Sequence, residues 1–123
     1  MDITLWTVTA LLALVYLGAG ANKLLRSKEK ILEDPRMGWA QNFSQPAIKS
    51  IGLAEVAGAA GLVLPWALGI LPILTPAAGF GLAAVMVGAA VVHLQRREFA
   101  PAAFVFVLVA ATLFVAIART LAL

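Results

Sequence analysis

Hydrophobic positions in this chain fall in long unbroken runs, not in narrow stripes. Four such runs cover about residues 3–25, 47–64, 74–94 and 99–121. Each is near the length a helix needs to cross a hydrocarbon core of ~30 Å at ~1.5 Å per residue. The runs do not alternate polar and apolar positions and are far longer than transmembrane strands. The pattern predicts an all-α polytopic membrane protein, an up-down bundle of four transmembrane helices forming a single domain over 1–123. Residues 26–46, RSKEKILEDPRMGWAQNFSQP, are the longest polar stretch. Their apolar residues alternate with charges, which predicts a short interfacial helix or ordered loop, broken near Pro35 and anchored by Trp39 and Phe43 at headgroup depth. It reads as a connector resting on the membrane surface; a lid over a cavity is the functional alternative. Ser27 fails as a capping box, because Lys30 stands where an acid or amide is needed.

The second run, IKSIGLAEVAGAAGLVL from Ile48 to Leu64, departs most from an ordinary helix. Gly52, Gly58 and Gly61, with Ala54 and Ala57, recur at spacings that let neighbouring backbones approach, which is how membrane helices gain packing energy. Glu55 stands among them. Pro46 suits its start, and Pro65-Trp66 is expected to end it. The connector Trp66 to Pro76 carries no charge and is expected in the far interface. Ala19-Gly20-Ala21 resembles a signal-peptide cleavage site, but the Met-Asp-Ile-Thr start has no positive n-region, so the first run is read as a retained span.

Composition agrees with lipid as the solvent: 63% of residues are hydrophobic and 12% charged, against about 45–50% and about 25% in soluble domains. The net charge of +3 sits in the loops and is no nucleic-acid signature. With four spans, Lys23, Arg26, Lys28, Lys30, Arg36, Lys49, Arg96 and Arg97 fall on one side, and only Arg119 on the other. The positive-inside rule predicts a cell (inner) membrane protein with loops 26–46 and 95–98 cytoplasmic and both termini outward. The chain has no cysteine and a single histidine. Disulfides, thiolate chemistry, iron–sulfur clusters, a bis-histidine haem and a multi-histidine zinc site are excluded. No metal site is expected.

Glu55 lies roughly 10 Å below the basic side, counted along its helix. Lys23 ends the first span on that side, and His93 ends the third there. Tyr16 and Lys23 share one helical face, as do Met86 and His93. An ionisable group inside a membrane helix usually faces the interior or a water-filled cavity. The candidate catalytic residues are therefore Glu55, His93 and Lys23, and the candidate ligand-binding residues are Tyr16, Asn22, Lys23, Glu55, Met86 and His93, with Gln95 as a further neighbour. A Glu55–Lys23 pair that only fixes helix register is the structural alternative. Arg119 reads as a headgroup or terminus contact, although it shares a face with Thr112. Such a trio can hydrogen-bond a carbonyl or phenol and move protons, but not electrons. A redox role needs a quinone or a cofactor-bearing partner.

These residues also resemble a known group. Ala19-Gly20-Ala21-Asn22-Lys23-Leu24, Ile51-Gly52-Leu53-Ala54-Glu55-Val56 with Gly58, Gly61-Leu62 and Pro65, Leu74-Thr75-Pro76-Ala77-Ala78, Met86-Val87-Gly88-Ala89 through His93-Leu94, and Arg119 follow the order seen in the DoxX-like family of small four-helix membrane proteins. The resemblance covers almost the whole chain. The family's AG-x-x-K, G-x-x-E and terminal His pattern falls on Lys23, Glu55 and His93. The wider group includes the membrane subunit of a thiosulfate:quinone oxidoreductase and members linked to oxidative-stress or quinone-resistance systems. The resemblance implies no intrinsic cofactor, a quinone or similar lipophile in a polar pocket between the helices, and a redox partner protein. With no soluble module in the chain, sulfur oxidation is not expected of it alone. Two other functions stay open: a membrane enzyme using Glu55 as acid or base on a lipophilic substrate, and a non-enzymatic scaffold. A homodimer through the Gly-rich faces is a further expectation, and no nucleic-acid partner is expected.

Overall fold

A computed structural model describes residues 2–123. Four helices in it are long and apolar enough to cross a bilayer: α1 (Asp2–Leu25), α3 (Gln45–Leu68), α4 (Leu74–Gln95) and α5 (Phe99–Leu121). The chain is an all-α, multi-pass membrane protein. Between α1 and α3 lie a short helix α2 (Lys28–Leu32) and a 3-10 helix over Pro35–Asn42. The spans form a ring in which α1 packs along α3, α3 along α4 and α4 along α5, whereas α5 meets α1 over a much narrower seam.

Small residues set the closest approaches. A Cβ on Gly20 would stand 2.7 Å from the Gly52 carbonyl oxygen, and one on Gly52 would stand 2.9 Å from the Gly20 carbonyl oxygen. The backbones of α1 and α3 therefore touch directly, as close-packed membrane helices do. Gly79 plays the same part on α4 against Ala116 of α5. Leu5, Leu12, Tyr16, Leu62, Leu82, Met86 and Val115 fill the space inside the ring. At mid-depth the narrow seam is closed by a 2.7 Å hydrogen bond between the Tyr16 and Thr112 hydroxyls.

Three local readings of the sequence are corrected. The second span does not end at Pro65 but continues to Leu68, where Gly69 adopts a left-handed conformation (φ 68°) and closes it. Proline removes the N–H that would bond the carbonyl four residues back. That carbonyl belongs to Gly61, and it accepts instead from the Thr75 hydroxyl of α4 at 2.8 Å. A freed backbone group in lipid is tolerated when a neighbouring helix satisfies it in this way. Thr75→Val should leave the Gly61 carbonyl buried without that donor and cost about 1–3 kcal/mol, read as a lower unfolding midpoint in micelles; an unchanged midpoint would mean that Pro65 needs no compensation.

Ser27 does cap a helix. Its hydroxyl accepts from the Lys30 backbone N–H and opens α2 without the reciprocal half of a capping box. Arg119, expected among headgroups or at the terminus, is buried at 4% exposure. Its guanidinium lies 4.7 Å from the ring centre of Trp6 and 4.5 Å from that of Trp66. A planar, weakly hydrated cation stacks well on aromatic faces, so Arg119 ties α5 to α1 and α3 inside the bundle.

Candidate functional site

At the end of the bundle where α1 finishes and α3 begins, the helices enclose a cavity of about 410 Å³. Its lower wall is apolar: Val15, Ala19, Val85, Met86, Ala89, Val105 and Leu108. Its polar groups come from separate helices, Tyr16 and Lys23 from α1, Glu55 from α3 and His93 from α4. Lys23 Nζ stands 2.7 Å from Glu55 Oε1, with both side chains buried. A carboxylate oxygen has two lone pairs, and the ammonium occupies only one of them. Oε1 therefore keeps acceptor capacity toward a bound molecule. Among the described residues no group of three or more His, Cys, Asp or Glu could hold a metal ion.

The segment between α1 and α3 roofs this cavity. Ile31, Ala40 and Ile48 are buried together, with Leu32, Met37, Trp39 and Phe43 packed around them. Met37, Trp39 and Phe43 also line the cavity. Trp39 meets Phe43 edge-on at 5.5 Å, and Lys23 Nζ lies 5.7 Å from the Trp39 ring centre. The connector is thus a folded segment that also covers the cavity. It is pinned by Lys49, whose Nζ donates to the Leu24 and Arg26 carbonyls at 2.8 and 2.6 Å, satisfying carbonyls left open at the end of α1.

Residues 7–117 match the model of the DoxX-like family. The chain belongs to that family. No curated protein and no solved structure gives a match. Of the sequence candidates, Tyr16, Lys23, Glu55, Met86 and His93 share the cavity. Asn22 does not line it. On a helix of 3.6 residues per turn, the neighbour of Lys23 is turned away from the face that carries Tyr16 and Lys23. Gln95 is exposed.

The sequence reading passed over Glu98. It stands just before α5, across a tight turn from His93, where Arg97 takes a left-handed conformation (φ 59°). His93 Nδ1 lies 2.8 Å from Glu98 Oε1, and Arg96 Nε donates to Glu98 Oε2 at 3.3 Å. The hydrogen bond from His93, then the Arg96 contact, holds the Glu98 carboxyl below the usual carboxylate range. An ionised carboxylate only accepts, so Nδ1–H donates to it and Nε2 is the ring nitrogen left outside that contact. The sequence signal was an acid five residues after the sole histidine, on the far side of a turn.

A lowered folded-state pKa makes Glu98 stabilising above its unfolded value, and that contribution is lost as pH falls through the folded value. Wild-type protein should therefore lose unfolding temperature as pH drops below about 4.3, the ordinary glutamate value, and Glu98→Gln should lose less over the same interval. Parallel curves would show that the Glu98 contacts do not stabilise the fold.

Proposed function

We propose that this DoxX-like protein binds a quinone, or a similar carbonyl-bearing lipophile, with its polar head against Lys23, Glu55 and His93. The observation that carries the reading is the convergence of these three groups, from three helices, at one end of an otherwise apolar cavity. Binding sites for small molecules are mostly apolar concavities with a few placed polar groups. Lys23 supplies N–H donors to a carbonyl oxygen. Glu55 Oε1 and His93 Nε2 accept from a hydroxyl. The site holds and moves protons, so electrons would come from a bound quinone and a redox partner protein. The reading includes an inner-membrane location with the cover and the 95–98 turn cytoplasmic, supported by the concentration of Lys and Arg at that end.

The test is mass spectrometry of what co-purifies from native membranes with wild-type protein and with Glu55→Gln. One defined carbonyl-bearing lipophile in the wild type, depleted in the variant, is the expected result. Bulk phospholipid alone in both, with the variant equally folded, would overturn it. A second reading, proton-transfer catalysis on a lipophilic substrate, is favoured by the Glu98–His93 contact, because an oriented imidazole is the usual general base. Binding retained with turnover lost in Glu55→Gln would select it.

A further inference from the structure

The cavity's walls bear on how a molecule reaches it. Its polar end lies beneath Met37, Trp39 and Phe43 of the cover. Its floor is the Tyr16–Thr112 hydrogen bond. Tyr16 and Lys23 mark the two levels on α1, roughly 10 Å apart along the helix axis. That depth takes a ring-sized head and only the start of a chain.

Most lining residues are buried or half-buried, but Val15, Gly88 and Phe104 are exposed on the outer surface of the bundle. Val15 is 38% and Phe104 57% exposed, at depths where the solvent is lipid. On α1, Gly20 marks the flank packed on α3. At 3.6 residues per turn, Val15 and Ala19 lie on the opposite flank, toward α5. On α5, Ala116 marks the flank packed on Gly79 of α4, and Phe104 and Leu108 lie on the other, toward α1. Both exposed side chains therefore border the same seam, the α1–α5 seam along which the helices touch least.

We infer that the cavity opens sideways into the bilayer between Val15 of α1 and Phe104 of α5, and that its ligand is a long-tailed lipid whose head enters by this seam and whose tail stays in the membrane. The inference rests on the lipophile reading of the cavity but adds a route and a ligand class. A freely water-soluble compound would instead have to pass Met37, Trp39 and Phe43 of the cover.

The route is testable without knowing the head group. Protein is reconstituted in phosphatidylcholine vesicles holding a small membrane-soluble aryl diazirine, irradiated, and mapped by peptide mass spectrometry. Adducts are expected on Met86, which is buried at 6% exposure, as well as on outward-facing Val107. Val15→Phe should lower the Met86 yield several-fold and leave Val107 unchanged, the latter also reporting an intact bundle; Val15→Ala should raise it. Adducts confined to outward-facing residues would overturn the inference, and so would suppression by Gly88→Phe in place of Val15→Phe, which would move the opening to the far flank of α4. A parallel titration with decylubiquinone and its tail-less parent quinone, read by Trp39 fluorescence in Trp6→Phe/Trp66→Phe protein, separates the two proposals. Met86 adducts without quenching by either quinone would sink the quinone head group and keep the entrance. Quenching by both with equal affinity, and equal slowing by Val15→Phe, would keep the head-group site and sink the role of the tail.

Discussion

Replacing Lys23 with methionine is expected to cost the bundle about 3–5 kcal/mol, the scale seen when one partner of a buried ion pair is removed. The loss comes from what stays behind. Glu55 is 3% exposed, on a side chain well inside α3, and the ammonium 2.7 Å away is its one ion-pair partner among the described residues. The reverse change, Glu55→Leu, should cost less. Lys23 lies in the last turn of α1, and its alkyl stem lets the amine move toward the interface. Lys23→Met/Glu55→Leu should recover most of the single-variant loss, because a buried pair and an apolar pair of similar volume are often close in stability. Unfolding free energies in micelles for the four proteins give the coupling directly. A double variant no more stable than Lys23→Met would show that packing, not charge, is what the site lost. The three altered proteins should also share one functional defect, loss of the co-purifying lipophile, even where the double variant is stable. Stability and binding are thereby separated at the same two residues.

How much of this was legible in the chain depends on the range of the cause. Run length and charge placement are local, so the four spans and the common depth of Lys23, Glu55 and His93 could be read directly. The glycine spacing of α3 announced a close contact, but nothing in it named Gly20 as the partner. Pro65 was misread because its compensation comes from Thr75, on the next helix and beyond a turn. Arg119 was misread for a similar reason: Trp6 and Trp66 come from two other spans, and an arginine near a helix end looks the same in sequence whether it meets water or indole. The cover was visible as an anchored segment, but that Met37, Trp39 and Phe43 wall a cavity depends on the angle at which the chain leaves α1. Glu98 was hidden by its company, since a charged turn ordinarily needs no explanation beyond solvation.

Gly52→Ala is expected to be among the most damaging single-methyl changes the protein can receive. The added Cβ would stand 2.8 Å from Lys23 Cβ and 2.9 Å from the Gly20 carbonyl oxygen. Neither obstacle is the free end of a flexible side chain. The helices must move apart, and overpacking of this kind costs about 1–3 kcal/mol, occasionally more. Gly20→Ala meets the same wall from the other side, with the Gly52 carbonyl oxygen and Val56 Cγ2 both at 2.7 Å and Glu55 Cβ at 3.0 Å. Gly58→Ala is milder only in that its nearest atoms all belong to the Leu82 side chain and none to backbone; Leu82 is itself buried, so it too must shift. Gly18→Ala, with nothing near its Cβ, should instead be neutral or stabilise by up to about 1 kcal/mol through helix propensity. Unfolding midpoints in micelles should therefore rank Gly18→Ala at or above wild type, then Gly58→Ala, then Gly20→Ala and Gly52→Ala. Equal effects at Gly18 and Gly52 would show that α1 and α3 are not in backbone contact. The same contact positions the chemistry. Gly52 stands one helical turn before Glu55 and against the root of Lys23, so separating the backbones there moves the amine away from the carboxylate. Gly52→Ala should accordingly lose the bound lipophile even under conditions where the bundle stays folded, while Gly58→Ala, whose clash lies on the α4 side, should keep it. Retention of the lipophile by Gly52→Ala would mean that the ion pair does not depend on the close approach of α1 and α3.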